Sequence, residues 1–233
     1  MTKLLCALAA CVVLSCARPV SVPEHIVNSV VFVDQSSGVV VYSDATVSLV
    51  LTAFHVVKGD LESGSNIRVG YLTFDGVKAA TIVYNVAGFR FDPLHDLALL
   101  EIHPGKQLPI SLVAQAAPLL GEDIWLGTNP NLNYRSLKRG VVSSLHRVIG
   151  TDIFWELSGG VIFGSSGGGA FNTKGELIAV VHSVDAYPSE LCGEEGCMPL
   201  MLPEMGYFVP LADVKRFLLL DGSVKYFDYL RGK

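Results

Sequence analysis

The chain has 233 residues, half of them hydrophobic and 17% charged, with a formal net charge of −5. That composition is too apolar for disorder and supplies material for a sizeable core. The acidic balance recommends no basic face, which argues against a nucleic-acid partner, and the five cysteines are not spread like a disulfide framework.

Residues 1–15 read as a signal peptide. Lys3 supplies the positive start, and residues 4–14 (LLCALAACVVL) form an apolar run of h-region length. A membrane-spanning helix would need roughly 20 such residues. Val13-Leu14-Ser15-Cys16 resembles a bacterial lipobox, with Leu14 bulkier than the usual residue at its place. Three outcomes stay open: lipidation of Cys16, ordinary cleavage near Ala17, or an uncleaved short anchor. The expectation is an exported protein, periplasmic or extracellular, with membrane attachment if Cys16 carries lipid.

From about residue 24 the pattern changes to short runs of Val, Ile, Leu, Phe and Tyr broken by Gly, Asn, Asp and Pro, the signature of strands and turns. The runs are 26–33, 37–43, 46–52, 66–74, 77–84 and 96–102. The stretch 103–120, with Pro104, Gly105, Pro109 and Pro118, lacks periodicity and reads as a linker. A second set follows at 121–127, 139–149, 152–158, 168–172, 176–183 and 206–210. Two groups of about six strands predict an all-β fold of two six-stranded antiparallel barrels, the first over about 24–102 and the second over about 121–210, closed so that no edge is bare. One helix is expected at 211–220, after Pro210 and with Asp213 in its first turn. Residues 222–233 form a tail whose Tyr226, Phe227 and Tyr229 are expected to pack on the body.

Cys192 and Cys197 enclose Gly-Glu-Glu-Gly, so a local disulfide is feasible in an oxidising compartment. A zinc site there would want further ligands, and none lie near in sequence. His25, His95, His103, His146 and His182 show no spacing such as HExxH, so neither a metal nor a cofactor is expected.

Three stretches carry chemistry. In Gly164-Ser165-Ser166-Gly167-Gly168-Gly169-Ala170-Phe171 a serine stands among glycines, which suit a backbone that takes positive φ or presses close to a ligand. A nucleophilic hydroxyl needs that clearance, together with N–H groups aimed at a developing oxyanion. Leu51-Thr52-Ala53-Phe54-His55-Val56-Val57 places a histidine at the exit of a strand. Leu94-His95-Asp96-Leu97-Ala98-Leu99-Leu100 places an acid at the start of an apolar one. A neutral serine is a weak nucleophile without an adjacent base, and that base needs an acceptor to fix its tautomer. Each stretch alone is ordinary loop, core or turn; the three in this order, each at an element boundary, point to a serine hydrolase.

Together they resemble the trypsin-like (chymotrypsin-fold) serine proteases, nearest to the HtrA/DegP-type bacterial branch. TAFHVV is similar to the family's TAxHVV, HDLALLEI to its DLALLKI, and GSSGGGAFNTKGELIAVV to its GNSGGPLVNxxGxVIGI. Gly127-Thr128-Asn129-Pro130 with Arg139-Gly140-Val141-Val142-Ser143, and Gly206-Tyr207-Phe208-Val209-Pro210 before the final helix, extend the likeness to a domain over 24–221. The resemblance implies that Ser166 attacks the scissile carbonyl, His55 moves the proton and Asp96 orients His55. It implies an oxyanion hole from the Gly164 and Ser166 amides, and a protein or peptide as substrate.

It also implies a substrate pocket lined by Gly160, Val181, His182 and Ser183. Gly160 stands six residues before Ser166, where relatives that cut after Lys or Arg carry an acid, so a small or apolar P1 side chain is expected. His182 falls one residue past the position at which some relatives read P1 Glu or Gln, and a one-residue shift turns a strand side chain to the other face. It is expected to be structural or near Asp96. Ser165 replaces the acid that pairs with a freed N-terminus in cleavage-activated relatives. Gly169 replaces a common proline. The insert 185–205 is expected to overhang the pocket, and no PDZ-like domain is expected after the final helix. Two other readings compete: a non-catalytic protein-binding module on the same fold, and a membrane-anchored viral or phage processing protease with P1 Glu/Gln preference.

Overall fold

The computed structural model describes residues 24–74, 79–130, 135–193 and 196–219. The expected signal peptide, Cys16 and the 222–233 tail lie outside the described residues, as do the side chains of Cys192 and Cys197. Among the described residues no helix is long and apolar enough to cross a membrane.

A short helix α1 (Glu24–Ser29) leads into the first sheet. Its strands are β1 (Val30–Val33), β2 (Ser36–Ser43), β3 (Ser48–Ala53), β4 (Arg68–Phe74), β5 (Ala79–Asn85), β6 (Gly88–Asp92) and β7 (Leu97–Ile102), antiparallel in the order β5-β4-β1-β2-β3-β7-β6. A second helix, α2 (Phe54–Ser63), continues directly from β3 and stops at Gly64 in the left-handed region. β3 and β7 are apolar along almost their whole length because both their faces are covered. Val50, Ala98, Leu100 and Ile102 fill the inside of this curled sheet. Leu49, Leu51, Leu97 and Leu99 point the other way, toward the second half of the chain.

That second half is a closed barrel of β8 (Asp123–Thr128), β9 (Ser136–Ile149), β10 (Asp152–Ser158), β11 (Gly169–Phe171), β12 (Leu177–Gly193) and β13 (Gly196–Pro210), in the order β10-β13-β12-β11-β8-β9. Its interior holds Ile124, Leu126, Val142, Trp155, Leu157, Val181 and Phe208. The helix α3 (Leu211–Leu219) follows and buries Leu211, Val214, Phe217 and Leu218.

The mostly-β, two-part architecture is the expected one, with three differences. The first sheet has seven strands, not six, and does not close. The amides of Val86 and Ala87, between β5 and β6, bond to Ile67 and Glu101, so the two end strands never pair with each other. The histidine stretch does not merely leave a strand; it begins a helix. The 185–205 insert is not a loop: β12 and β13 run on as a two-stranded ribbon to the Gly193–Gly196 pair. Its prolines are compatible with that, because each strand of a ribbon has an edge that needs no donor.

The two halves meet across one mixed apolar layer. Leu49, Leu51, Leu97 and Leu99 from the first sheet pack with Phe154, Phe171, Val180, Val209 and Phe217 from the second half. Each large side chain buried there contributes about 1.5–3 kcal/mol. The stretch 103–120 runs between the halves, with the Ser111 amide on Val40 and the Ala114 amide on Leu177. The catalytic candidates sit where this layer reaches the surface.

Candidate active site

Asp96 enters β7 with φ 52, in the left-handed region that Asp tolerates better than most residues. Its carbonyl accepts the Phe54 amide at 3.0 Å. Its carboxylate accepts more. Oδ1 takes the backbone N–H of His55 at 2.8 Å. The helix α2 has no capping side chain of its own at Ala53, so Asp96 satisfies one of the amides at the helix start from a distant strand. Oδ2 takes the Nδ1–H of His55 at 2.7 Å and the Nδ1–H of His182 at 2.5 Å. Both rings are assigned Nδ1–H because an ionised carboxylate only accepts. Burial pushes the Asp96 carboxyl up, but the hydrogen bonds from His182 and His55 and the proximity of the His55 charge outweigh it and hold the group at about 2. The His55 ring is 45% exposed, open to the cleft, while the Asp96 side chain is 13% exposed behind it.

Ser166 lies on a loop tied at several points. The Ser165 amide bonds to Ile162, the Gly168 amide to Ser165, and the Gly167 amide to Val181 on β12. Ser165 is buried and its Oγ accepts the Ile162 amide at 3.2 Å. The first sheet holds the loop from the other side. The Ser37 amide donates to the Ser166 carbonyl at 3.0 Å, and Ser37 Oγ donates to the Gly164 carbonyl at 2.7 Å while accepting the Asn129 amide at 2.8 Å. Gly167 has φ 79, and a Cβ there would lie 2.1 Å from Thr52 Oγ1 and 2.3 Å from the Ser37 carbonyl. No other residue fits. Gly164 also takes positive φ, 83. Among the described residues, neither the Gly164 nor the Ser166 amide donates to a protein acceptor.

The Ser166 hydroxyl donates to the carbonyl of His182 at 3.1 Å. Among the described residues no hydrogen bond joins it to His55. The rings of His55 and His182 stand edge-on, with centroids 5.7 Å apart.

The expected pocket residues separate. Gly160 takes φ 78, and its carbonyl accepts the Lys138 ammonium at 2.7 Å. Val181 is fully buried in the barrel core rather than turned to the cleft. His182 is directed at Asp96. The reason is a bulge: Val181 pairs with Phe208 and Ser183 with Tyr207, so His182 is an extra residue in β12. A bulge re-aims a side chain. Two residues near the site escaped the sequence reading. Ser37 and Lys138 carry no motif, although a buried serine inside Ser36-Ser37-Gly38-Val39-Val40 was a visible polar interruption. Phe163, within the 160–163 stretch expected to line the pocket, is 73% exposed beside Gly164.

His55, Asp96 and His182 place one donor atom each within 4.8 Å of one another, the single cluster of metal-ligating type among the described residues. Its spacing is that of hydrogen bonds. Ligands around zinc at about 2.0–2.2 Å sit roughly 3.3 Å apart, wider than the 2.5 and 2.7 Å seen here.

Comparison with known proteins bears on the family and the fold. A family model described as the trypsin-like peptidase domain matches residues 36–180. Among solved structures, the chain is similar to Deg5, with a TM-score of 0.62 and 20% identity over 83% of this chain and 88% of that one. It is also similar to the HtrA-type protease AlgW with decapeptide, with a TM-score of 0.57 and 20% identity over 78% of this chain and 50% of that one. No curated protein sequence matches it. A family match that spans well over half the residues decides the point: the chain belongs to the trypsin-like peptidase family.

Proposed function

We propose that the chain is a serine endopeptidase that cleaves peptide bonds through an acyl-enzyme, with Ser166 as nucleophile, His55 as general base and then acid, and Asp96 as the residue that orients His55. The observation that carries this reading is the Asp96 carboxylate. It is ionised, shielded, and bonded to His55 Nδ1 at 2.7 Å, which leaves His55 Nε2 as the acceptor facing the cleft. At rest the Ser166 hydroxyl is bonded to the His182 carbonyl at 3.1 Å, and the reaction requires it to trade that bond for one to His55 Nε2. Such an exchange costs little, since a neutral hydrogen bond contributes about 0.5–1.5 kcal/mol net. The unengaged Gly164 and Ser166 amides are the donors for the oxyanion. One such donor is worth about 10²–10³ in rate.

A small or apolar P1 side chain fits Gly160, which brings no acid to the pocket. Lys138 favours a second reading of specificity: its ammonium on the Gly160 carbonyl would receive an acidic P1 side chain. Profiling wild type and Ser166→Ala on a peptide library, with fluorophosphonate labelling alongside, tests both. Cleavage and labelling are expected in wild type and lost in Ser166→Ala. Wild-type protein that neither labels nor cleaves any member supports the binding-module reading and refutes the enzyme.

The same proposal includes export, Cys16 as a lipid attachment point, a 24–221 protease domain, and a Cys192–Cys197 disulfide. The register of β12 and β13 supports the last, since it sets those two residues opposite each other. Intact mass of the mature protein with and without reductant tests processing, lipid and disulfide together.

A further inference from the structure

His182 contacts Asp96, Ser166 and His55 alike, and the proposed reaction gives it no task. Its Nδ1–H bonds to the same Asp96 oxygen that holds His55, at 2.5 against 2.7 Å. Its carbonyl holds the resting Ser166 hydroxyl at 3.1 Å. Its ring lies flat against Phe154, centroids 4.7 Å apart and 17° between planes, with its edge relation to His55 on the other side. Of the register shifts along β12, the one between Val181 and Ser183 makes His182 the extra residue and turns it to Asp96.

We propose that His182 is a positioning residue for the serine–histidine–aspartate machinery, acting through Asp96. The physical case is rotational. A carboxylate bonded to one partner can swing about χ2 and carry that partner with it. Here Oδ1 is fixed by the His55 amide and Oδ2 by the His182 ring, so the side chain has no free torsion. His55 Nδ1–H then meets an oxygen whose place is set by two other elements, the start of α2 and the bulge of β12. The Phe154 stack fixes the plane of the His182 ring, and with it the direction of its N–H. Filling space would require none of this: an apolar side chain would pack on Phe154 equally well, without an N–H aimed at a buried carboxylate.

This inference rests on the triad reading, so its test separates the two. His182→Phe keeps a ring on Phe154 and removes the donor; His182→Asn keeps an N–H donor at the same distance from the backbone. Both are measured in the full chain against the best library peptide, with urea unfolding as a check on folding. His182→Phe is expected to lower kcat and the fluorophosphonate labelling rate about 10²-fold, the usual cost of a misplaced catalytic group, with KM unchanged. His182→Asn is expected to recover most of that loss. Proton NMR of the Ser166→Ala protein is expected to show two exchange-protected imidazole N–H signals far downfield, one of which disappears in Ser166→Ala/His182→Phe. A folded His182→Phe with wild-type kcat overturns the proposal, as does a loss confined to KM, or a single downfield signal in Ser166→Ala. Inactive wild-type protein refutes the triad instead, and the NMR signals, which need no turnover, tell that failure from this one.

Discussion

Replacing Asp96 by Asn tests whether the site's electrostatics are built as described. The carboxyl sits at about 2 instead of the ordinary 3.8. A group held down in the folded state binds its proton less readily there than in the unfolded chain. It therefore stabilises the fold above pH 4, and that contribution is lost as pH falls from about 4 to about 2. The side chain is only 13% exposed, so solvent screens it little. A displacement of this size corresponds to roughly 2 kcal/mol. Asn cannot titrate, and its amide NH2 must face one of the three N–H donors that now converge on the carboxylate. Urea unfolding of wild type and Asp96→Asn from pH 6 to pH 2 reads both effects. At pH 6 the variant is expected to be the less stable. Between pH 4 and pH 2 the wild type should lose roughly 2 kcal/mol more than the variant, so that the two curves converge. Parallel curves over pH 4–2 would show that Asp96 is not held in its ionised form by His55 and His182, and the site described above would be wrong.

Three further outcomes are expected. Gly167→Ala carries about 1–2 kcal/mol of left-handed backbone cost and three overlaps under 3.0 Å with Thr52, Ser37 and Ala53. A loss above roughly 4 kcal/mol in urea unfolding, together with loss of labelling, follows; a folded, labelled variant would sink the seam geometry. Ser37→Ala leaves the Gly164 carbonyl and the Asn129 amide without their partner, at about 1–3 kcal/mol per orphaned group. A slowed labelling rate should accompany the lowered urea midpoint, and an unchanged rate would deny Ser37 its hold on the Gly164–Ser166 loop. Phe171→Ala empties the seam at a fully buried ring, at a cost of about 3–5 kcal/mol; a loss below about 1 kcal/mol would mean the layer between the halves is not closely packed.

Much of the site was readable because its chemistry is local. A histidine at a strand's end, an acid at a strand's start and a serine among glycines each leave a short pattern, and the two groups of strands announced two sheets. Other features depend on distant partners and leave no local trace. α2 was missed because Val56, Val57 and Leu61 follow β3 without a capping side chain; its cap comes from Asp96, forty-one residues on. β6 was missed because Gly88-Phe89-Arg90-Phe91-Asp92 opens on a glycine, closes on an aspartate and exposes both phenylalanines at a sheet end. The 185–205 insert was expected only to overhang the pocket, and its ribbon form depends on the pairing of β12 with β13. The bulge that directs His182 to Asp96 depends on how β12 registers with β13, which a single strand's sequence does not encode.

The anchoring of the Ser166 loop on Ser37, Thr52 and Ala53 has a mechanical consequence. These residues belong to the first sheet, and Ala53 is only two positions before His55. Ser166 and His55 are thus referenced to the same patch of backbone, although they come from different halves of the chain. Any rocking of the two sheets against each other would therefore pivot on that patch. Such a motion would open the outer reaches of the cleft more than it would change the separation of Ser166 and His55.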